Sequence, residues 1–108
     1  MKNRSLFLMA ISLVMLNALA ARAAEHTISG DTFYGCTNKK DYEDVVRLHA
    51  EGDTEAAKQL LAFGMTMGAC TIFKEGEPVF TVKAGILTVQ IRRKGDPTSY
   101  WTAIEAIR

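Results

Sequence analysis

The 108-residue chain holds two cysteines, Cys36 and Cys70, 34 positions apart, and they bracket a stretch whose apolar residues recur at helical spacing. Two cysteines allow one intramolecular pairing. A bond between them would pin both ends of the bracketed stretch to one point. The chain-entropy treatment of such a loop gives about 3–4.5 kcal/mol, a large share of the roughly 5–15 kcal/mol that stabilises an ordinary domain. Small domains bury little surface and gain most from a covalent link. Zinc is the rival use of the pair, but only His26 and His49 could complete a four-ligand set, and their spacing follows no zinc pattern. The sequence contains no C-x-x-C redox motif.

A disulfide needs an oxidising compartment, and the first 23 residues point to one. Lys2 and Arg4 precede an apolar run of 11 residues, Leu6–Leu16, and small residues follow, ending in Ala21-Arg22-Ala23. A basic head, a short apolar centre and an A-x-A exit are the marks of a secretory signal peptide. The run falls short of the roughly 20 residues that span a bilayer. Cys36 lies too far beyond Leu16 to be a lipid-anchor cysteine. Cleavage after Ala23 would leave about 85 residues, in which Lys+Arg falls from 13 to 10 against 12 Asp+Glu, a net charge of about −2. That balance argues against a basic nucleic-acid binder and against several domains. It predicts one small periplasmic or secreted domain with no membrane span.

The remaining chain divides by period. Residues 24–31 are polar and read as a flexible N-terminal arm, with His26 solvated on it. Thr32–Cys36 is a short aromatic strand candidate. Thr37 or Asn38 can cap a helix on which Tyr42, Val45, Val46 and His49 share one face, and Gly52 ends it. Asp53 caps a second helix with an apolar stripe of Ala56, Ala57, Leu60, Leu61 and Phe63, stopping near Gly64. Met65 and Met67 suit gap filling beside it. Segment 37–68 is therefore expected to be a helical hairpin. From Ala69 the period becomes that of strands, at Cys70–Phe73, Val79–Lys83, Leu87–Arg92 and Ser99–Thr102, with turns at Lys74–Glu77, Ala84-Gly85 and Lys94–Thr98. Pro78 fits the first position of a strand, and Ala103–Glu105 fits one 3₁₀ turn. Short strands of this number bury one face each and lose their edges by curling into a small barrel.

Several strings carry a resemblance: Gly68-Ala69-Cys70, Gly76-x-x-Val79, Val89-x-Ile91-Arg92 with Lys94-Gly95, and Tyr100-Trp101-Thr102-Ala103-Ile104-Glu105-Ala106-Ile107. With them the chain resembles small exported bacterial proteins that fold as SH3-like barrels, over residues 32–108. The resemblance implies an α+β domain: a small SH3-like antiparallel β-barrel with the helical hairpin inserted after the first strand. It implies no enzyme activity and no cofactor. SH3-like folds often bind peptides or cell-wall components, though a fold does not fix a function. Here the helices replace the loop that usually helps to line a peptide groove, and no acidic cluster of that loop is recognisable.

Catalytic residues are hard to assemble. His49 on the apolar stripe reads as a partly buried core histidine without a nucleophile nearby, and no serine sits in a G-x-S-x-G elbow. The acidic residues Asp41, Glu43, Asp44, Glu51, Asp53 and Glu55 read as caps and solubilising charge. The candidates for partner binding are Tyr34, Arg92, Arg93, Tyr100 and Trp101. Adjacent strand residues point to opposite faces, so Tyr100 and Trp101 cannot both enter the core, and exposed aromatics are common in binding patches. The expected function is a non-enzymatic exported binding protein for a protein or cell-wall peptide, with an inhibitor or immunity-type protein as one version. The alternative is a structural or assembly subunit of a cell-envelope complex.

Overall fold

The computed structural model describes residues 25–108; the expected signal peptide and its cleavage point lie outside them. Six strands form one antiparallel sheet. In chain order they are β1 (Glu25–Thr27), β2 (Tyr34–Cys36), β3 (Cys70–Ile72), β4 (Pro78–Ala84), β5 (Thr88–Arg93) and β6 (Ser99–Ala103). Helices α1 (Lys39–Ala50) and α2 (Thr54–Thr66) stand between β2 and β3, and a 3₁₀ turn, Ile104–Ala106, follows β6.

The strand order is β1-β4-β5-β6-β2-β3, which leaves β1 and β3 as the two edges. The sheet is therefore open, where a closed barrel was expected. Part of the reason is length: both edge strands have three residues. Links beyond the strand ends extend the pairing and tie the segment after β1 to the C-terminus. Ile28 bridges Ile107, the Phe73 N–H donates to the Phe33 carbonyl, and Ile28 exchanges backbone hydrogen bonds with Gly76 and Glu77.

Segment 24–31, expected to be a flexible arm, is corrected where it is described. Glu25–Thr27 pairs with Pro78–Phe80 of β4, and Ile28 is buried. His26 Nδ1 lies 2.9 Å from the Arg108 carbonyl. Three residues are too few to show a period, so pairing rather than pattern makes this strand.

Strand alternation sorts the side chains into two faces. Val89 and Ile91 of β5, Tyr100 and Thr102 of β6 and Val79 of β4 point inward. With Ile28 and Phe73 they form the inner core, the Tyr100 ring meeting Phe73 edge-on at 5.9 Å. Between Thr81 and Lys83 a bulge shifts the β4–β5 register, and Val82 is left exposed there.

The helical hairpin covers part of the outer face. Cys36 and Cys70 sit directly opposite each other on β2 and β3 and are joined by a disulfide. Tyr42 packs on the disulfide, with Tyr34, Leu61 and Trp101 around it. The Asn38 side chain accepts the Lys40 N–H, and Asp53 accepts the Ala56 N–H, so both helices carry the expected caps. Gly52 ends α1 at φ +83°, a conformation that favours glycine.

Two details of the hairpin differ from expectation. Helix α2 runs through Gly64 to Thr66, and its buried positions are Ala57 and Gly64, whereas Leu60 and Phe63 are exposed. Gly64 is needed because a Cβ there would lie 2.5 Å from Cys70 Sγ. Small residues thus bring the helix onto the disulfide, where Leu61 also packs, and leave Leu60, Phe63 and Met65 exposed. His49, expected to be partly buried, is exposed at the end of α1, 6.4 Å from the Tyr34 ring.

Candidate functional site

The five candidate binding residues do not form one surface. Tyr100 is 8% exposed and belongs to the inner core. Arg93 is the last residue of β5 and faces inward, in register with Val79. Its Nε donates to Glu77 Oε1 at 2.7 Å, and its other nitrogens donate to the Thr71 hydroxyl and the Ile72 carbonyl. The guanidinium also stands 5.1 Å from the Phe73 ring. These three hydrogen bonds tie it to β3 and to the turn before β4, so it acts as an internal clamp.

Arg92 faces outward and stacks over Phe80 at 4.5 Å. Trp101 is half-buried beside the hairpin, opposite Cys36, with the Lys39 ammonium 5.1 Å above its ring. Tyr34 packs 5.6 Å from Tyr42 under α1. The parity expectation for the adjacent aromatics holds: Tyr100 enters the core, and Trp101 lies on the other face.

A cleft of about 650 Å³ opens between α1 and the β4–β5 hairpin. One wall is a face of α1 carrying Lys39, Tyr42, Glu43, Val46 and Arg47. The other is the turn Gly85-Ile86-Leu87-Thr88, with Ala103 and Glu105 at the end of β6 and in the 3₁₀ turn. The turn is tight: the Gly85 N–H donates to the Thr88 carbonyl, and a Cβ at Gly85 would lie 2.7 Å from that oxygen. The Ile104 N–H donates to the Leu87 carbonyl, which ties the turn to the 3₁₀ segment.

Ile86 is 93% exposed and Leu87 is 76% exposed. Neighbouring large aliphatic residues this open to water are costly as a solvated turn and typical of a contact surface. The sequence reading missed the pair because Leu87 fits an alternating strand and Ile86 lies beside a Gly turn. The available signal was two large aliphatics in a position where turns carry polar residues.

Tyr42 lies in the wall of the cleft and is 7% exposed. Burial, then the charges of Tyr34 and Glu105, push its phenol up to about 12. On the far side of α1, Asp44 is held below the usual carboxylate range by a hydrogen bond from Lys40. Arg47 is bound to Glu51 at 3.2 Å and to Asp44 at 3.6 Å. Among the described residues, no three His, Cys, Asp or Glu side chains group as a metal site would need, and no helix is long and apolar enough to cross a membrane. The chain matches no protein-family model, no curated protein and no solved structure.

Proposed function

We propose that this protein is an exported, non-enzymatic binding protein that docks a partner protein in the cleft between α1 and the β4–β5 hairpin. The observation that carries the reading is the exposure of Ile86 and Leu87 on one wall, facing Val46 on the other. An apolar, preformed cleft with a few polar groups at its rim is the usual form of a recognition site. The docking surface therefore moves from Tyr100 and Arg93 to the neighbouring cleft, with Lys39 over Trp101 at its border.

Export is supported by the basic, apolar and A-x-A pattern of residues 1–23 and by the disulfide. Mass spectrometry of the protein from an envelope fraction tests it. A mature chain beginning at Ala24 is expected, and a mature chain retaining residues 1–23 overturns it. We also read the sheet as an opened variant of the SH3-like barrel. The two hairpins, the 3₁₀ turn and the Ile28–Ile107 bridge support that reading.

The docking test starts by using the protein as bait on an envelope extract. The captured partner is then purified and its affinity measured by calorimetry. Ile86→Asp with Leu87→Asp should weaken binding by at least about tenfold without loss of stability, because both side chains are already in water. Unchanged affinity in that double variant overturns the cleft as the docking surface. A second reading, an envelope assembly subunit, is favoured by the exposed Phe63 on α2 and Met67 just past its end. It predicts a concentration-dependent sedimentation coefficient that Phe63→Asp abolishes.

A further inference from the structure

We propose that the outer face of β1, β4, β5 and β6, beside the cleft, docks an acidic segment of the partner protein, an extended stretch with carboxylates at alternate positions. The proposal rests on the docking reading above for its partner being a protein.

Strand register places the residues. On β5, Gln90 and Arg92 point away from the buried Val89 and Ile91, and Lys83 and Phe80 of β4 stand opposite them. Trp101 and Ser99 continue the same two rows on β6, and Glu25 stands opposite Phe80 on β1. Lys94, just past β5, reaches this face, since its ammonium lies 4.0 Å from Glu25. Lys39 comes onto it from α1, above the Trp101 ring. The hairpin packs mainly on β2, β3 and β6, so the β4 and β5 rows stay open. Lys83 and Lys94 are exposed, and Phe80, Gln90 and Arg92 are half-buried.

Charge complementarity selects the occupant. Beyond residue 24 the chain has 10 Lys+Arg against 12 Asp+Glu. This face nevertheless holds four of the cations, Lys39, Lys83, Arg92 and Lys94, and one carboxylate, Glu25. Glu25 is engaged by Lys94, whereas Lys39, Lys83 and Arg92 make no ion pair among the described residues. Glu43 and Glu105 lie in the cleft, so the excess positive charge runs along the strands.

Rings hold two of these cations in place. The Arg92 guanidinium stands 4.5 Å over Phe80, and the Lys39 ammonium 5.1 Å over Trp101. A cation on a ring face keeps N–H donors for a carboxylate and loses less freedom on binding one. Same-side residues of an extended chain recur about every 6.5–7 Å, on the partner's segment as on β5. Carboxylates at alternate positions therefore match Arg92 and Lys94 together. A basic segment would meet four cations, and an uncharged one would gain nothing from them. Lys39 also lines the cleft, which makes the two surfaces continuous for a partner seated there.

The experiment is a titration of the isotopically labelled protein, followed by nuclear magnetic resonance. The probes are acetyl-Asp-Ser-Asp-Ser-Asp-amide and the same peptide with Asn for Asp. The Asp peptide should give saturable shifts at the amides of Lys83, Gln90 and Arg92 and at the Trp101 indole. The Asn peptide should bind at least about fivefold more weakly, and Lys83→Gln with Arg92→Gln should remove that difference. Lys58→Gln with Lys74→Gln, which removes the same charge elsewhere, should change the Asp peptide's affinity less than about twofold.

Equal binding of the two peptides, no saturable shift, or an equal loss in the two double variants overturns the proposal. Tighter binding by a poly(glycerol phosphate) chain than by the Asp peptide, at equal charge concentration, assigns the face to an anionic polymer and overturns the protein source. The partner protein separates this idea from the docking reading. If its binding is lost with Ile86→Asp and Leu87→Asp but kept at full affinity by Lys83→Gln with Arg92→Gln, the cleft stands and the acidic segment falls. If the two losses are exchanged, the cleft falls and the strand face is the docking surface.

Discussion

On the inner face of the sheet, Phe73, Val79, Val89 and Ile91 are at most 1% exposed, and strand alternation alone delivers three of them. On the outer face the helical hairpin buries little: Tyr42 and Val45 from α1, Ala57 and Gly64 from α2. The first region is held by apolar side chains interdigitating across paired strands. The second is held by a covalent link, two side-chain caps and a close approach that only small residues permit. A region that buries little can leave its larger apolar groups in solvent, and the exposed surfaces of this protein border the hairpin for that reason. Val46 on α1 faces the cleft, and Leu60, Phe63 and Met67 line a smaller cavity of about 130 Å³ beside the disulfide.

Breaking the staple should show the contrast most strongly. Replacing Cys36 and Cys70 together by alanine is expected to cost about 3–4.5 kcal/mol, read from the denaturant midpoint. Amide exchange in that variant should accelerate across α1 and α2 well before it does in β5 and β6. Uniform acceleration would mean that the two regions unfold as one and that the contrast has no energetic content.

The inner face has its own vulnerable point, Arg93. Arg93→Met keeps the stem but removes the bond to Glu77 and the donors to Thr71 and Ile72. Glu77, whose side chain is 16% exposed, is left without its cation. The expected loss is about 2–3 kcal/mol. Arg92→Met, one residue away on the outer face, should cost less than about 1 kcal/mol. Equal losses at the two positions would refute the inward clamp.

These neighbours also mark how far the sequence could be read. Val89 and Ile91 alternate with polar residues, so β5 and its buried face were legible, as were Pro78 at the start of β4, both helix caps and the disulfide. Arg93 continues the inward parity of Val89 and Ile91, but an arginine beside Lys94-Gly95 looks like the start of a turn. Its inward role needs Glu77 and Thr71, 16 and 22 positions away, which no local pattern reports. Strand β1 was hidden for the same reason, since its pairing partner lies more than 50 residues later. In α2 the apolar stripe was visible, but which side is buried depends on Gly64 meeting the disulfide, a contact made only after folding. The cleft was illegible because its two walls come from distant segments of the chain.

Gly64 tests whether close approach holds the hairpin. A methyl group there would overlap Cys70 Sγ, and a disulfide sulfur cannot swing aside as a free side chain can. Gly64→Ala should therefore destabilise by about 2 kcal/mol, although alanine is the better helix former by roughly 1 kcal/mol. Gly68→Ala would not be an equivalent control because Gly68 has φ +75°. Ala62→Gly on the exposed side of α2 is suitable, and it should cost only the helix-propensity difference. A stabilised Gly64→Ala protein would show that α2 has room to move and that the disulfide alone positions it.

The smallest effect expected joins the two regions through pH. Tyr42 packs on the disulfide and lines the cleft, and its phenol is pushed up to about 12 by burial, Tyr34 and Glu105. An unfolded tyrosine ionises near 10. Between those values the unfolded chain releases a proton that the folded chain keeps, so stability is complete below about pH 10 and falls as pH rises towards 12. With the screening expected at the mouth of a cleft, the loss is about 1–2 kcal/mol. Urea midpoints across that window check it, with phenolate absorbance recorded on the same samples. In Tyr42→Phe the late-titrating phenol should vanish and the alkaline loss should shrink to what the other tyrosines and lysines contribute. An unchanged alkaline loss in Tyr42→Phe would place its cause elsewhere and remove the evidence that the cleft wall and the hairpin's anchor are the same side chain.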